Sequence, residues 1–275
     1  MQRRMIFSAA IAAVTLGFGT LAQAQDSTMD QVRDSGVLRV GVTQAPPWYA
    51  KDITSGEWTG GLGVSMGKAM AETLGVTFEP VEVTWGTAVA ALQADRIDMM
   101  FVLDATDERK AAVNFPDTPL LYYSLAVLAR DDLEITNWSD LNSPEISISV
   151  PQATSMDAFL TENAPDADIQ RFPGNAEAIA AFQAGRVDAV TLFHPPLIAA
   201  RQKLGAGQII VPQPVESRPS SVAVRQESDT TFVDWVDEQI DGYYKSGQTQ
   251  VWYEEFLSDF GLDPSTVPAI IRERL

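Results

Sequence analysis

Arg109 closes the segment Asp104-Ala105-Thr106-Asp107-Glu108-Arg109, and its guanidinium is the group in this chain best shaped to hold a small anion. The planar fork grips a carboxylate through two parallel hydrogen bonds. The plainer reading is a surface arginine paired with Asp107 or Glu108. Asp104, five residues earlier, either neutralises Arg109 as an internal pair or receives the ammonium of a solute. Thr106 follows the same predicted strand. Thr154 and Ser155 stand at a helix start, where free backbone N–H groups suit an anion and hydroxyls add donors; both also suit simple helix caps. His194, the only histidine, precedes Pro195 at another helix start and can donate to an anion or cap the helix. As a metal ligand it has no visible partners. Trp48, Trp85, Tyr122 and Phe193 are candidate walls, although such rings more often belong to a core. Walls are needed, because micromolar affinity takes about −8 kcal/mol while one charge-assisted hydrogen bond nets only ~1.5–3 kcal/mol.

The elements that must position these residues centre on a phrase used twice. Ala91-Leu92-Gln93-Ala94-Asp95-Arg96-Ile97-Asp98-Met99-Met100 reads as a helix end, a tight turn at Ala94 to Arg96, and a buried strand over 97–103. Ninety positions later Ala181-Phe182-Gln183-Ala184-Gly185-Arg186-Val187-Asp188-Ala189-Val190 copies its residue types and runs on to Phe193. One helix-turn-strand unit used twice predicts two lobes of similar build, each with a sheet of its own. Ligands of open α/β sheets bind outside the carboxyl ends of the strands, here just after Leu103 and just after Phe193. Around this pair the pattern predicts strands at 37–42, 77–83, 146–150 and 168–172, and helices at 64–74, 155–161 and 176–184. Gly75 stops the first of these helices, and Pro195 and Pro196 suit the first turn of a further one ending near Leu204. A long apolar strand is predicted at 120–129 and a shorter one at 221–224. Two amphipathic helices, 231–245 and 248–260, are expected to pack back on the first lobe.

The run 81–130 resembles the extracytoplasmic solute-binding proteins of polar amino-acid ABC transporters, family 3. Members carry a strand, a Thr-x-Thr-x-Glu-Arg segment, Phe-Ser-x-Pro-Tyr, and a strand ending in Arg or Lys. Here the matching residues are Asp104 to Arg109, Asn114-Phe115-Pro116-Asp117-Thr118-Pro119, and Leu125-Ala126-Val127-Leu128-Ala129-Arg130. The likeness spans nearly the whole mature chain. It implies an α/β fold of the type II, two-lobe periplasmic-binding-protein kind, with two hinge strands and a ligand cleft between the lobes. Lobe 1 would comprise 25–127 and 223–275, and lobe 2 would comprise 128–222. The resemblance also implies that Arg109 binds a ligand α-carboxylate, that Trp85 stacks on the ligand side chain, and that Thr154 and Ser155 occupy a Gly-Thr-Thr position, with Ala153 for the glycine.

The departures from the pattern concern the amine. Asp104 stands where many relatives have Thr or Ser. Phe193 and His194 fill the neighbourhood in which relatives for α-amino acids carry an aspartate for the ammonium. The Gly-Phe-Asp-x-Asp signature reads Gly61-Leu62-Gly63-Val64-Ser65. Either Asp104 takes the ammonium from the opposite lobe, or the ligand lacks it. The implied function is capture of a small carboxylate-bearing solute, an amino acid or related organic acid, and delivery to an ABC permease in the inner membrane. No cofactor is implied, and a monomer is expected. The same family resembles cyclohexadienyl dehydratases, for which Asp104 and His194 would make an acid–base pair if they faced each other. A nucleophile motif, a metal cluster and a glycine-rich phosphate loop are lacking in the sequence, which favours binding over catalysis. A sensory or accessory binding protein without a permease is the third reading.

Composition is consistent with an exported binding protein. Arg3 and Arg4, an apolar run from Met5, and Ala22-Gln23-Ala24 read as a secretory signal cleaved before Gln25. Losing the two arginines moves the formal charge from −18 to −20, a balance that argues against nucleic acid or anionic membrane as partner. The absence of cysteine excludes disulfides, thiolate metal sites and a lipidated cysteine, so a free periplasmic protein is expected.

Overall fold

A computed structural model of the chain describes residues 27–268 and Ile270; the signal segment read at 1–24 lies outside the described residues. In chain order the elements are α1 (Thr28–Ser35), β1 (Val37–Val42), β2 (Ala50–Lys51), β3 (Trp58–Gly60), α2 (Leu62–Leu74), β4 (Thr77–Glu82), α3 (Ala88–Gln93), β5 (Met99–Leu103), α4 (Asp107–Lys110), β6 (Val113–Asn114) and β7 (Leu121–Ala129). There follow β8 (Ser147–Pro151), α5 (Ser155–Asn163), β9 (Asp168–Phe172), α6 (Asn175–Gln183), β10 (Ala189–Phe193), α7 (His194–Leu204), β11 (Gln208–Ile210), β12 (Ser217–Arg225), α8 (Thr231–Ser246) and α9 (Gln248–Asp259). The short elements α1, β2, β3, α4, β6 and β11 have no counterpart among the elements expected from periodicity, which needs a longer window to register.

Both copies of the repeated phrase fold alike and for the same reasons. Asp95 and Gly185 each take the left-handed conformation at the turn, with φ of 55° and 65°, where glycine is free and aspartate is tolerated. The aspartate three residues further on then fastens a neighbouring strand. The Asp98 carboxylate accepts from the Arg39 backbone N–H at 2.7 Å and ion-pairs with the Arg39 side chain. Asp188 accepts from the Ser147 N–H at 2.8 Å and from its hydroxyl, and pairs with Arg130. Each aspartate thus ties its own strand to a parallel neighbour.

The lobes' sheets are parallel at heart: β1 pairs with β4 and β5 in one, β8 with β9 and β10 in the other. They are not independent sheets, as the repeat alone suggested. The strand path runs β4-β1-β5-β12-β7-β10-β8-β9 without a break. Its middle is a ribbon in which Ser217 to Ser220 pair antiparallel with Leu121 to Ser124. Beyond the ribbon, β12 turns to β5 and β7 turns to β10. Two adjacent crossings with buried backbone groups need partners, and each supplies the other's. The helices α8 and α9 pack on each other and return to α1 and α2 of the first lobe.

At the end of β5 the ladder with β12 slips. Ser221 faces Leu103 and Val222 faces Phe101, leaving Val102 as the extra residue, at φ 59°. A β-branched residue in that conformation costs about 1–2 kcal/mol. The bulge bends the strand, and the residues that follow it, Leu103 and Asp104, line the cleft.

Candidate functional site

Between the carboxyl ends of β5 and β10 lies a cavity of about 30 Å³. Trp48, Trp85, Asp104, Arg109 and Tyr123 line it from the first lobe and the hinge, and Ser155, Asn175 and Phe193 from the second. Its mouth opens into a wider space of about 750 Å³, with Thr106 and Glu108 at the rim.

Thr106 caps α4, its hydroxyl accepting the Arg109 backbone N–H at 3.3 Å. That cap sets where the arginine starts. Arg109 Nη1 donates to the Asp104 backbone carbonyl at 3.0 Å, and Nη2 donates across the cleft to the Ala153 carbonyl at 3.2 Å. None of the ion pairs among the described residues involves it, so neither Asp107 nor Glu108 holds it as the surface reading would have had it. Burial lowers its pKa, while the fields of Asp104, Tyr123 and Glu108 oppose that.

Asp104 is 7% exposed, and its carboxylate does not ion-pair with Arg109. Tyr123 donates its hydroxyl to Oδ1, and Ser155 donates from the other lobe to Oδ2. Burial pushes the Asp104 pKa above the usual carboxylate range, restrained by these two bonds and by Arg109 and Arg218. The Tyr123 hydroxyl is raised in turn, by burial and by the neighbouring carboxylate.

On the second lobe, Thr154 acts as the helix cap. Its oxygen accepts the Asp157 N–H and its hydroxyl donates to the Pro151 carbonyl at 2.8 Å. Ala153 takes φ 57°, the backbone state a glycine would favour. The loop therefore keeps that shape at some cost. Trp85 crosses the cleft as well, its indole N–H donating to Asn175 Oδ1 at 3.0 Å. Trp48 stacks on Tyr253 and tilts against Tyr123, whose ring centre lies 3.6 Å from that of Phe193.

His194 is not among the cavity's lining residues. Its Nδ1 accepts the Ser124 backbone N–H of the hinge ribbon at 3.2 Å, and its Nε2 is buried without a hydrogen-bond partner. Burial drives its pKa down to about 4. No hydrogen bond joins it to Asp104, so the acid–base pair conceivable from sequence is not formed. Tyr122 also lies elsewhere. Strand alternation leaves it half-exposed while Tyr123 turns in, and counting inward from the buried run 125–129 in steps of two would have selected Tyr123. Asn175 carried no such signal; only its place at the start of α6 brings it to Trp85. Among the described residues no group of three His, Asp or Glu side chains could hold a metal ion.

Residues 38–259 match the family model for bacterial extracellular solute-binding proteins, family 3. The chain belongs to that family. The chain is similar to the general L-amino acid-binding periplasmic protein of Rhizobium johnstonii, 28% identical over 268 residues that cover 92% of this chain and 77% of the relative. The cyclohexadienyl dehydratase of Pseudomonas aeruginosa is 24% identical over 187 residues, covering 65% of this chain and 67% of that one. A solved structure of an ancestral amino acid-binding protein, described as a precursor of cyclohexadienyl dehydratase, superposes with a TM-score of 0.74 at 29% identity, covering 85% of this chain and 99% of its own. The two-lobe architecture is thus that of the type II periplasmic binding proteins, and the family's role is solute binding.

Proposed function

We propose that this family 3 chain is the periplasmic solute-binding component of an ABC uptake system, taking a small carboxylate-bearing solute and closing its lobes over it. The observation that carries the reading is Arg109: a half-buried guanidinium in the cleft, bonded to carbonyls of both lobes and to no carboxylate. Two fixed carbonyls orient the fork and leave its other N–H groups for an anion. Trp48, Trp85, Tyr123 and Phe193 supply the apolar walls that such a bond needs beside it. The lobes are taken as 25–127 with 223–275, and 128–222, and the ribbon of β7 and β12 is the hinge. Periplasmic location is supported by the relative from Rhizobium johnstonii and by the signal read at 1–24.

The test is Arg109→Ala. With a solute found by thermal-shift screening of small acids, calorimetry should show affinity falling by about two to four orders of magnitude, the loss of two charge-assisted bonds, while the melting temperature without solute stays close to wild type. Undiminished affinity would refute the role.

A second reading, catalysis of the dehydratase kind, is favoured by one observation. Asp104 is a buried carboxyl held towards its protonated form beside an anion-binding arginine, as a general acid would be. Mass spectrometry of a bound solute after prolonged incubation distinguishes the two readings: unchanged solute means a receptor, and product means an enzyme.

A further inference from the structure

The cavity is rich in hydrogen-bond donors and poor in acceptors. On the donor side stand the Arg109 N–H groups not spent on the Asp104 and Ala153 carbonyls. The Ser155 and Met156 N–H groups in the first turn of α5, which lack intrahelical acceptors, add to them. Side-chain acceptors, by contrast, are few, and each already receives a protein donor. Asn175 Oδ1 takes the Trp85 indole N–H, and Thr154 Oγ1 takes the Asp157 N–H and spends its own proton on Pro151. Among the described residues Asp104 is the only acid lining the inner cavity, and both its oxygens receive protein hydroxyls, from Tyr123 and Ser155. The remaining surface is apolar, with Val102, Leu103, Met156 and Pro196 between the rings.

An α-ammonium brings three N–H donors within two bonds of the carboxylate that Arg109 would hold. Here those donors would have to compete with Tyr123 and Ser155 for Asp104, and a buried donor left unpaired costs about 1–3 kcal/mol. A 2-oxo group in the same place brings an acceptor to a donor-rich site. Glu108 is exposed and lies at the outer rim, where a hydrated carboxylate gains little from an ammonium.

Resting on the reading of Arg109 as the carboxylate anchor, we propose that the solute is a carboxylic acid without an ammonium group, a 2-oxo acid with an apolar side chain, and that the Tyr123–Asp104–Ser155 chain is the device that excludes α-amino acids.

The experiment titrates the purified protein by calorimetry with apolar 2-oxo acids, among them phenylpyruvate and 4-methyl-2-oxopentanoate, with the α-amino acids matched to them, and with the oxo-acid amides, which lack the carboxylate. The expected result is that oxo acids bind at least about tenfold tighter than their amino partners, the ratio set by one unpaired buried donor, and that the amides do not bind. In Ser155→Ala, and independently in Tyr123→Phe, one Asp104 oxygen is released and the ratio should shrink several-fold. Amino acids binding as tightly as oxo acids overturns this inference and leaves the carboxylate reading standing. A ratio that both variants leave unchanged overturns the role of the chain. Amides binding as well as acids, or no binding by acids of either kind, overturns the anchor and the inference together.

Discussion

His194 shows how a single side chain can couple the hinge to pH. It must be neutral to accept the Ser124 N–H, and burial holds its pKa at about 4 against an ordinary 6.5. Between those values the unfolded chain takes a proton that the folded chain refuses. Stability contributed by the neutral imidazole is therefore complete above about pH 6.5 and is lost as pH falls towards 4, by up to about 3 kcal/mol in all. Asp104 acts oppositely: its raised pKa adds stability on the acid side, which is lost as pH rises through the folded value. The two are separated by His194→Gln. Urea denaturation at pH 7 and pH 5 should show wild type losing more stability on acidification than this variant; equal losses would remove His194 as the cause. Neither its burial nor its bond to the hinge was legible in sequence, where the histidine read as a cap or an anion donor. Arg109 was more legible, since its segment marks it out, but its lack of an acid partner is a fact of packing.

At the scale of elements, the start of α5 carries much of the cleft's second face. Thr154 caps it, Ser155 reaches Asp104, and Ala153 gives its carbonyl to Arg109. The left-handed φ at Ala153 is a cost that glycine would not bear. Ala153→Gly is expected to stabilise the fold by roughly 1 kcal/mol, read by chemical denaturation, and to leave solute affinity unchanged because the carbonyl is kept. A stability loss would show that the alanine side chain, close to Gly86, matters more than its backbone. The bulge at Val102 is the counterpart on the first face. It could not be read in advance, because a run of apolar residues in a strand looks the same with or without a slipped register.

For the whole molecule, among the described residues three hydrogen bonds cross the inner cleft, Asp104 with Ser155, Arg109 with Ala153, and Trp85 with Asn175, and Gln202 with Gly261 joins the lobes elsewhere. The cavity they enclose, about 30 Å³, has room for a water or two. A solute of ten or so heavy atoms enters only if the lobes part, and parting breaks these bonds, at about 0.5–1.5 kcal/mol for the neutral Trp85–Asn175 pair and ~1.5–3 kcal/mol where one partner is charged. They are weak enough to open and numerous enough to favour closure once a solute adds contacts from both sides. Small-angle X-ray scattering should show the radius of gyration falling as a bound acid is titrated in, and no change for Arg109→Ala under the same concentrations. A radius indifferent to a solute that calorimetry shows to bind would reject closure by the hinge.

What the sequence determined alone is local in origin. Apolar periodicity, turn residues and helix stops act over a few positions, so the twice-used helix-turn-strand unit, the long apolar strand at 120–129 and the two closing helices could be read directly from it. The tertiary structure decided the partners: Asp104 and Ser155 lie 51 residues apart and Trp85 and Asn175 lie 90 apart. Which face of a crossing strand looks into the cleft, which hydroxyls occupy a buried carboxylate and which arginine is left without an acid depend on how distant segments pack, and no short-range pattern encodes that.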